Sequence, residues 1–174
     1  KEILNELKNH SVSARSITSK ENNIINVKAI SEELGFVGTP YTIDVDVLKK
    51  IVKVNEVPVI APLGLNSKNQ VHNVNADDIA TFVASSLNAR RLIIISDVAG
   101  VMDKDNNLIS EINSSKVKEM IKRGEISGGM QVKLNSAINI AHKVKGTVII
   151  SGKKTRSLLF ELLSDSGAGT LIRK

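Results

Sequence analysis

The first group of side chains with chemical potential lies in HNVNADDIATF, His72 to Phe82. Two asparagines, Asn73 and Asn75, precede the adjacent aspartates Asp77 and Asp78 at the start of an amphipathic run. An asparagine before a helix caps its first N–H groups, and acidic residues are favoured in the first turn by the helix dipole. Capping therefore accounts for Asn75 and both aspartates. Asn73 lies outside the predicted helix, where its amide suits a carboxylate or amide ligand.

The second group, SDVAGVMDKD, follows the apolar run LIII. Asp97 comes where this predicted strand ends, and Gly100 permits a tight turn or the close approach of a ligand. Val98, Val101 and Met102 offer apolar contact to a flat ring. The pattern fits an ordinary connection from a strand to a turn equally well. The sequence contains neither a Walker A loop nor a GxGxxG motif, so the usual phosphate-binding signatures are missing from it.

The third group is EISGGMQVKLN. Gly128 and Gly129 precede a predicted helix from Met130 to Gly146, an arrangement that exposes backbone N–H groups to phosphate oxygens. Lys133 lies near the start of this helix, at the border of its apolar stripe. A solvated surface lysine is the alternative interpretation. A lysine at a glycine-rich helix start can neutralise charge on a migrating phosphoryl group, and phosphoryl transfer requires mainly positioning and charge neutralisation.

Other chemistries are less well supported by the sequence. His10, His72 and His142 are far apart and lack the spacing of metal ligands. There is no cysteine, which excludes disulfides and thiolate metal sites. No Ser/His/Asp arrangement is present, and the acidic pairs are typical of helix caps or solvated faces. We therefore predict no protein-held metal site.

The elements that position these groups alternate between helices and near-continuous apolar strands. Strands are predicted over VPVIAPLG, RLIIISD and TVIIS, and helices over NADDIATFVASSLNA and SSKVKEMIKRG. The stretch ISEELGFVGTPYTID is predicted as a loop or an edge hairpin because glycine and proline interrupt it. This alternation predicts an α/β fold, a three-layer αβα sandwich with a mainly parallel central sheet.

The composition limits the classes of partner. The chain has 174 residues, 41% of them hydrophobic and 24% charged, with a net charge of +6. Basic residues are spread along the whole chain and aromatic residues are only 2%, so we predict no nucleic-acid partner. No apolar run approaches the roughly 20 residues that span a bilayer, and no signal-peptide pattern opens the sequence. A cytoplasmic protein with no membrane partner is expected.

Six segments follow one another along the chain and carry a family resemblance. They are VPVIAPLG, NVNADD, LIIISDVAGVMD, LISEI, EISGGMQVKLNSA and FELLSDSGAGTLI. Together they resemble the bacterial and plastid N-acetylglutamate kinases of the amino acid kinase superfamily, and ELGFVG is similar to a hairpin of the same enzymes. The resemblance implies the amino acid kinase fold. It also implies ATP-dependent phosphorylation of the side-chain carboxylate of N-acetyl-L-glutamate, a step of arginine biosynthesis that uses ATP with Mg²⁺.

The resemblance also implies residue roles. Asn73 matches the asparagine that holds the α-carboxylate of the substrate, with Asn75 beside it. Asp77 matches the aspartate that orients the active-site lysines, and Lys133 matches a lysine that stabilises the transition state. The implied nucleotide-binding residues are Asp97, Val98, Ala99, Gly100, Val101, Met102, Glu125, Ile126 and Ser127.

The chain departs from the family pattern at its start. The family's first strand with a catalytic lysine, its Gly-Gly loop and its substrate-binding arginine have no counterpart here. Residues 1–60 then correspond to the rest of the substrate-binding half, including the hairpin. Residues 61–174 correspond to the nucleotide-binding half, and one continuous structural unit is expected. We expect the chain alone to be inactive or nearly so, and a homo-oligomer, a dimer or larger, is implied.

Two alternatives remain at this point. A sister kinase that acts on carrier-bound aminoadipate or glutamate would use the net charge of +6 to bind an acidic carrier. The segments NVNAD and ELGFVG favour the enzyme that acts on the free substrate. The other alternative is a nucleotide-binding or regulatory module without catalytic activity.

Overall fold

The fold was obtained as a computed structural model, which describes residues 1–19 and 21–174. The chain divides into two compact units, Lys1–Ser86 and Leu87–Lys174. This boundary differs from the one predicted after residue 60 between a substrate half and a nucleotide half. That predicted division concerns ligand binding and stays a prediction.

The first unit contains helices that alternate with short strands. Its elements are α1 (Glu2–Asn9), β1 (Ala14–Ile17), β2 (Ile25–Ala29), β3 (Gly38–Ile43), α2 (Val45–Lys53), β4 (Val57–Ile60), β5 (Leu63–Leu65), β6 (Val71–Asn73) and α3 (Ala76–Ser86). β1 and β4 pair in parallel, and the other strands form a sheet in the order β3-β2-β5-β6. In that sheet β2 runs antiparallel to β3 and parallel to β5, and β5 runs antiparallel to β6. Of the stretch predicted as a loop or an edge hairpin, residues 30–37 connect two strands and residues 38–43 form the edge strand β3; its partner β2 precedes that stretch.

One predicted strand of this unit is divided in two. VPVIAPLG forms β4 and β5 rather than a single buried strand, and β4 is only partly buried. The chain turns sharply at Pro62, where the N–H of Leu63 donates to the carbonyl of Ala61 over 2.8 Å. Proline supplies no N–H to a ladder, and this three-residue turn redirects the chain. As a result β4 joins β1 while β5 joins β2 and β6.

The second unit is built on a mixed sheet. Its elements are β7 (Leu92–Ser96), β8 (Glu111–Asn113), α4 (Ser114–Lys122), α5 (Gly128–Ile140), β9 (Thr147–Ser151), α6 (Ser157–Leu163) and β10 (Thr170–Arg173). The strand order is β7-β9-β10-β8. β7 and β9 are parallel, as are β8 and β10, and β9 and β10 are antiparallel. The predicted α/β fold class is confirmed, with parallel pairs and antiparallel pairs in the sheets of both units.

The core of the second unit is aliphatic. All five residues of β9 are buried, as expected for an interior strand with helices against it. Leu134 of α5 and Val117 of α4 are fully buried against this sheet and belong to one cluster with Ile149 and Ile172. The scarcity of aromatic residues is thus compensated by close packing of β-branched and leucine side chains. Among the described residues, no helix is long and apolar enough to cross a membrane.

Candidate functional site

The start of α3 carries the polar cluster of the first unit. The side-chain oxygen Oδ1 of Asn75 accepts hydrogen bonds from the N–H groups of Asp77 and Asp78, over 2.9 and 3.3 Å. Asn75 is therefore the N-cap predicted from the sequence, and its Oδ1 already accepts hydrogen bonds from the helix. Asp77 lies half-buried in the first turn. Its implied role toward lysines stays a prediction.

The cap is open to a direct test of stability. We expect Asn75→Ala to lower the free energy of unfolding by about 1 kcal/mol, because two N–H groups lose their acceptor. Asn75→Asp keeps an acceptor at the same place and should cost much less. Urea denaturation followed by circular dichroism measures both. Equal losses in the two variants would show that the capping oxygen contributes nothing.

Asn73 is held in place by its backbone and presents its side chain to solvent. Its N–H donates to the carbonyl of Phe36 over 2.8 Å, and it pairs with Leu63 across the β5–β6 ladder. His72 and Val74 on either side are buried at 3% and 2% exposure. Because side chains alternate along a strand, the exposed Asn73 faces away from the packed side. The backbone of Asn73 is therefore held in place, and its exposed side-chain amide carries N–H groups that can donate to a carboxylate.

In the second unit, the loop after β7 is fastened to the strand β10. The N–H of Val101 donates to Oγ1 of Thr170 over 2.8 Å, and this hydroxyl donates to the carbonyl of Ile109 over 2.6 Å. Gly100 has φ +151°, and a Cβ there would lie 2.4 Å from Oγ1 of Thr170. Only glycine permits this close approach. The loop is therefore a rigid element rather than a free connection.

The side chains of this loop differ in what they offer a ligand. Val98 and Met102 are exposed, each at 43%, and are available to an apolar ring. Val101 is 1% exposed and belongs to the core cluster, so the expected contact of its side chain with a ligand is not possible on this surface. Asp97 is exposed at the end of β7, where its Oδ1 accepts a hydrogen bond from Oγ of Ser96 over 3.1 Å. Ala99 is half-buried between them.

The turn that follows is built around the carboxylate of Asp103. The N–H groups of Asn107 and Asp105 donate to Oδ1 of Asp103 over 2.8 and 2.9 Å. These hydrogen bonds, with that to Asn107 the strongest, hold the pKa of Asp103 below its ordinary value. The turn closes where Met102 bridges to Leu108. The side chain of Asp103 therefore accepts two backbone hydrogen bonds within this turn.

An ion pair links the turn that follows the first predicted nucleotide-binding segment to the start of the second. Nζ of Lys104 lies 3.3 Å from Oε1 of Glu125, and a nitrogen of Arg123 lies 4.0 Å from the same oxygen. The loop after β7 thus sits beside the residues that lead into α5. Ile126 is buried in the core at 6% exposure and offers a ligand only its backbone. Ser127 is exposed immediately before α5.

The start of α5 is open. A Cβ built on Gly128 or Gly129 would meet nothing within 4 Å, so the first turn is reachable from solvent. The helix begins at Gly128, two residues before the predicted start, which places both glycines inside it. It ends at Ile140, six residues before the predicted end at Gly146. Lys133 is half-buried beside the fully buried Leu134, at the border of the apolar face as predicted. Free N–H groups, a positive dipole end and a lysine are what a phosphate requires.

The structure brings the predicted residues together in two sets. Asn73, Asn75 and Asp77 lie within one strand–helix turn of the first unit. The loop from Asp97 to Met102 and the segment from Glu125 to Ser127 are joined in the second unit, which also holds Lys133 on α5. Sequence reasoning missed Thr170 and Lys104, whose roles depend on partners distant in sequence. Among the described residues, no group of three or more histidine, aspartate or glutamate side chains could hold a metal.

Comparisons with known proteins bear on this arrangement. The sequence profile of the Amino acid kinase family matches residues 2–151. The chain is 54% identical to the acetylglutamate kinase of Pelagibacter ubique, covering 100% of this chain and 61% of that enzyme. It is 38% identical to the acetylglutamate kinase of Campylobacter fetus, of which it spans 62%. An N-acetylglutamate synthase structure from Neisseria gonorrhoeae, solved with coenzyme A and N-acetyl-glutamate, superposes with a TM-score of 0.87. It is 22% identical and matches 97% of this chain and 39% of its own, which shows the fold alone.

Proposed function

Since the chain belongs to the amino acid kinase family, we propose that it is the nucleotide-binding and substrate-recognising part of an acetylglutamate kinase. The reaction is transfer of the γ-phosphoryl group of ATP to the side-chain carboxylate of N-acetyl-L-glutamate. A carboxylate oxygen forms a bond to the γ-phosphorus, the bond from that phosphorus to the bridging oxygen breaks, and ADP leaves. The product is N-acetyl-L-glutamyl 5-phosphate, an acyl phosphate. The chain spans 61% of the length of its 54% identical relative, so the activity of a whole protein is part of the proposal.

One observation of the structure supports this function most directly. The Lys104–Glu125 pair places the loop after β7 beside the approach to α5, and α5 begins with an open turn and carries Lys133. An adenine or ribose ring would contact Val98 and Met102, and the phosphates would lie toward the N–H groups of Gly128 and Gly129. Lys133 then neutralises charge on the group in transfer. No nucleophilic side chain is needed, because the substrate carboxylate is itself the nucleophile.

Residues of the first unit bind the substrate, and Mg²⁺ accompanies the nucleotide. Asn73 donates its amide N–H groups to the α-carboxylate of N-acetyl-L-glutamate, and Asn75 and Asp77 position the turn beside it. Mg²⁺ enters as the MgATP complex, whose phosphate oxygens are the hard ligands that this ion prefers. A cytoplasmic location and a homo-oligomeric assembly belong to the same proposal.

The proposal is tested by calorimetry of MgATP binding to this chain. We expect Lys133→Ala and Asp97→Ala each to weaken binding by about tenfold, the cost of losing one charged hydrogen bond. Lys118→Ala, an exposed lysine of α4, is the matched control and should change the affinity by less than about twofold. A folded chain that binds no MgATP, or that loses affinity equally in the control, contradicts the assigned nucleotide site.

The substrate and the chemistry need two further measurements. Adding N-acetyl-L-glutamate to the MgATP complex should give a further heat of binding that Asn73→Ala abolishes. Supplying the N-terminal part of the Pelagibacter ubique relative should restore acyl phosphate formation, trapped by hydroxylamine. Nucleotide binding with no restored transfer would favour the alternative of a nucleotide-binding module without catalytic activity.

A further inference from the structure

The second unit contains a cavity at the end of its sheet that lies opposite the loop after β7. We name it the basic cavity; it has a volume of about 220 Å³ and is lined by Arg90, Arg91, Lys145, Gly146, Leu171 and Arg173. These residues precede β7, precede β9 and end β10, so they meet at one edge of the sheet. The five residues of β7 separate it from Asp97, a length of about 16 Å at the rise of a strand. A ligand here would not touch the proposed nucleotide site.

The lining of the basic cavity carries an excess of positive charge. Of its described lining residues, four are cations and none is acidic. Arg91 is paired with the buried Glu161 over 2.9 Å, and Arg173 is paired with the exposed Glu111 over 3.4 Å. Arg90 and Lys145 form no ion pair with any described residue. The two carboxylates offset the charges of Arg91 and Arg173, so the net positive charge of the cavity comes from Arg90 and Lys145.

The backbone segments that carry these cations are held together by strand pairing. Leu92 and Ile172 both lie opposite Thr147, which ties the three chain segments of the cavity together. The N–H of Leu92 donates to the carbonyl of Gly146 over 3.1 Å, directly between Arg91 and Lys145. The two cations without an acidic partner, Arg90 and Lys145, therefore face the cavity from neighbouring chain segments. An anion with two charged groups can pair with both of them.

The neighbouring cavity restricts where such an anion can lie. It has a volume of about 270 Å³, shares Arg91 and Arg173 with the basic cavity, and is also lined by Glu111, Glu161 and Asp165. These carboxylates repel a negative ligand, and they confine it to the end formed by Arg90 and Lys145. The geometry points to a site for one small polyanion. We propose that the basic cavity binds a molecule with at least two phosphate or carboxylate groups, independently of the nucleotide.

The test uses inorganic pyrophosphate and citrate as probes and acetate as a singly charged reference. In calorimetry at a salt concentration of about 150 mM, which screens non-specific attraction, pyrophosphate or citrate should bind and acetate should not. The double variant Arg90→Gln/Lys145→Gln should weaken that binding by about tenfold or more. A preference for pyrophosphate would identify a phosphorylated ligand, and a preference for citrate a polycarboxylate.

The control is the double variant Lys153→Gln/Lys154→Gln, which removes the same charge from an exposed loop after β9. It should leave the affinity within about twofold, since distant charges are screened. Equal weakening by the two double variants, or no binding of either probe, overturns the proposal. Asp97→Ala should not change probe binding. Binding of the anion probes and binding of MgATP are therefore tested separately, and the failure of one proposal leaves the other standing.

Discussion

We expect Gly169→Ala to lower the free energy of unfolding of the chain by about 3 kcal/mol, the largest effect of any single methyl group considered. A Cβ on Gly169 would lie 1.9 Å from the carbonyl oxygen of Ile149 and 2.8 Å from its carbon. Ile149 is fully buried in the interior strand β9, and Thr170 pairs with it directly. The backbone cannot yield as a flexible side chain would. The methyl group must therefore separate β9 from β10, the pair at the centre of the sheet.

Urea denaturation of the purified variants measures this effect. Gly129→Ala is the matched control, because a Cβ on Gly129 would meet nothing within 4 Å and this residue lies in α5. There alanine should be neutral or stabilise by up to about 1 kcal/mol, as the better helix former. The loss of about 3 kcal/mol expected for Gly169→Ala is a large part of the stability of a domain, which is about 5–15 kcal/mol. Similar unfolding midpoints for the two variants would contradict the tight approach of β10 to β9.

The parts of the fold that could be predicted are those fixed by local patterns. The cap at Asn75 and the apolar face of α5 follow from residues within a few positions of each other. The strands β7 and β9 follow from short runs of β-branched residues. VPVIAPLG was wrong as one strand because an apolar run does not show which sheet each of its halves will join. Pro62 was the local signal of the break, since it interrupts any ladder.

The parts of the site that could not be predicted depend on long-range contacts. Thr170 lies 69 positions from Val101, and no spacing rule relates a threonine near the end of the chain to a loop after β7. The same holds for Lys104 and Glu125, whose contact exists only once α4 has returned the chain to that loop. The functional importance of Asn73 and Lys133 came from the family resemblance, because periodicity alone gives one exposed amide or lysine no preference. Their roles stay predictions, and the structure adds that both are accessible to a ligand.

The long-range contact at Thr170 leads to the second large effect. We expect Thr170→Val to lower the free energy of unfolding by about 2–4 kcal/mol, the cost of leaving two buried polar groups without a partner. The hydroxyl of Thr170 is fully buried, accepts from the N–H of Val101 and donates to the carbonyl of Ile109. Valine has nearly the same shape, so the loss measures the hydroxyl rather than packing. The loop after β7 should lose its rigid attachment at the same time.

Thr170→Ser separates these two contributions, because it keeps the hydroxyl and removes only a methyl group worth about 1 kcal/mol. Hydrogen exchange of the Val101 amide should be fast in Thr170→Val and slow in Thr170→Ser, measured under conditions where both variants are folded. If the loop binds nucleotide, MgATP affinity should fall further in the valine variant than in the serine variant, since the exposed side chains of Val98 and Met102 would no longer be held in position. Equal amide protection in both variants would show that the hydroxyl is not what fastens this loop. Loss of protection at the Val101 amide with unchanged MgATP affinity would instead mean that the attachment of the loop contributes to stability alone. The nucleotide would then be held by the start of α5.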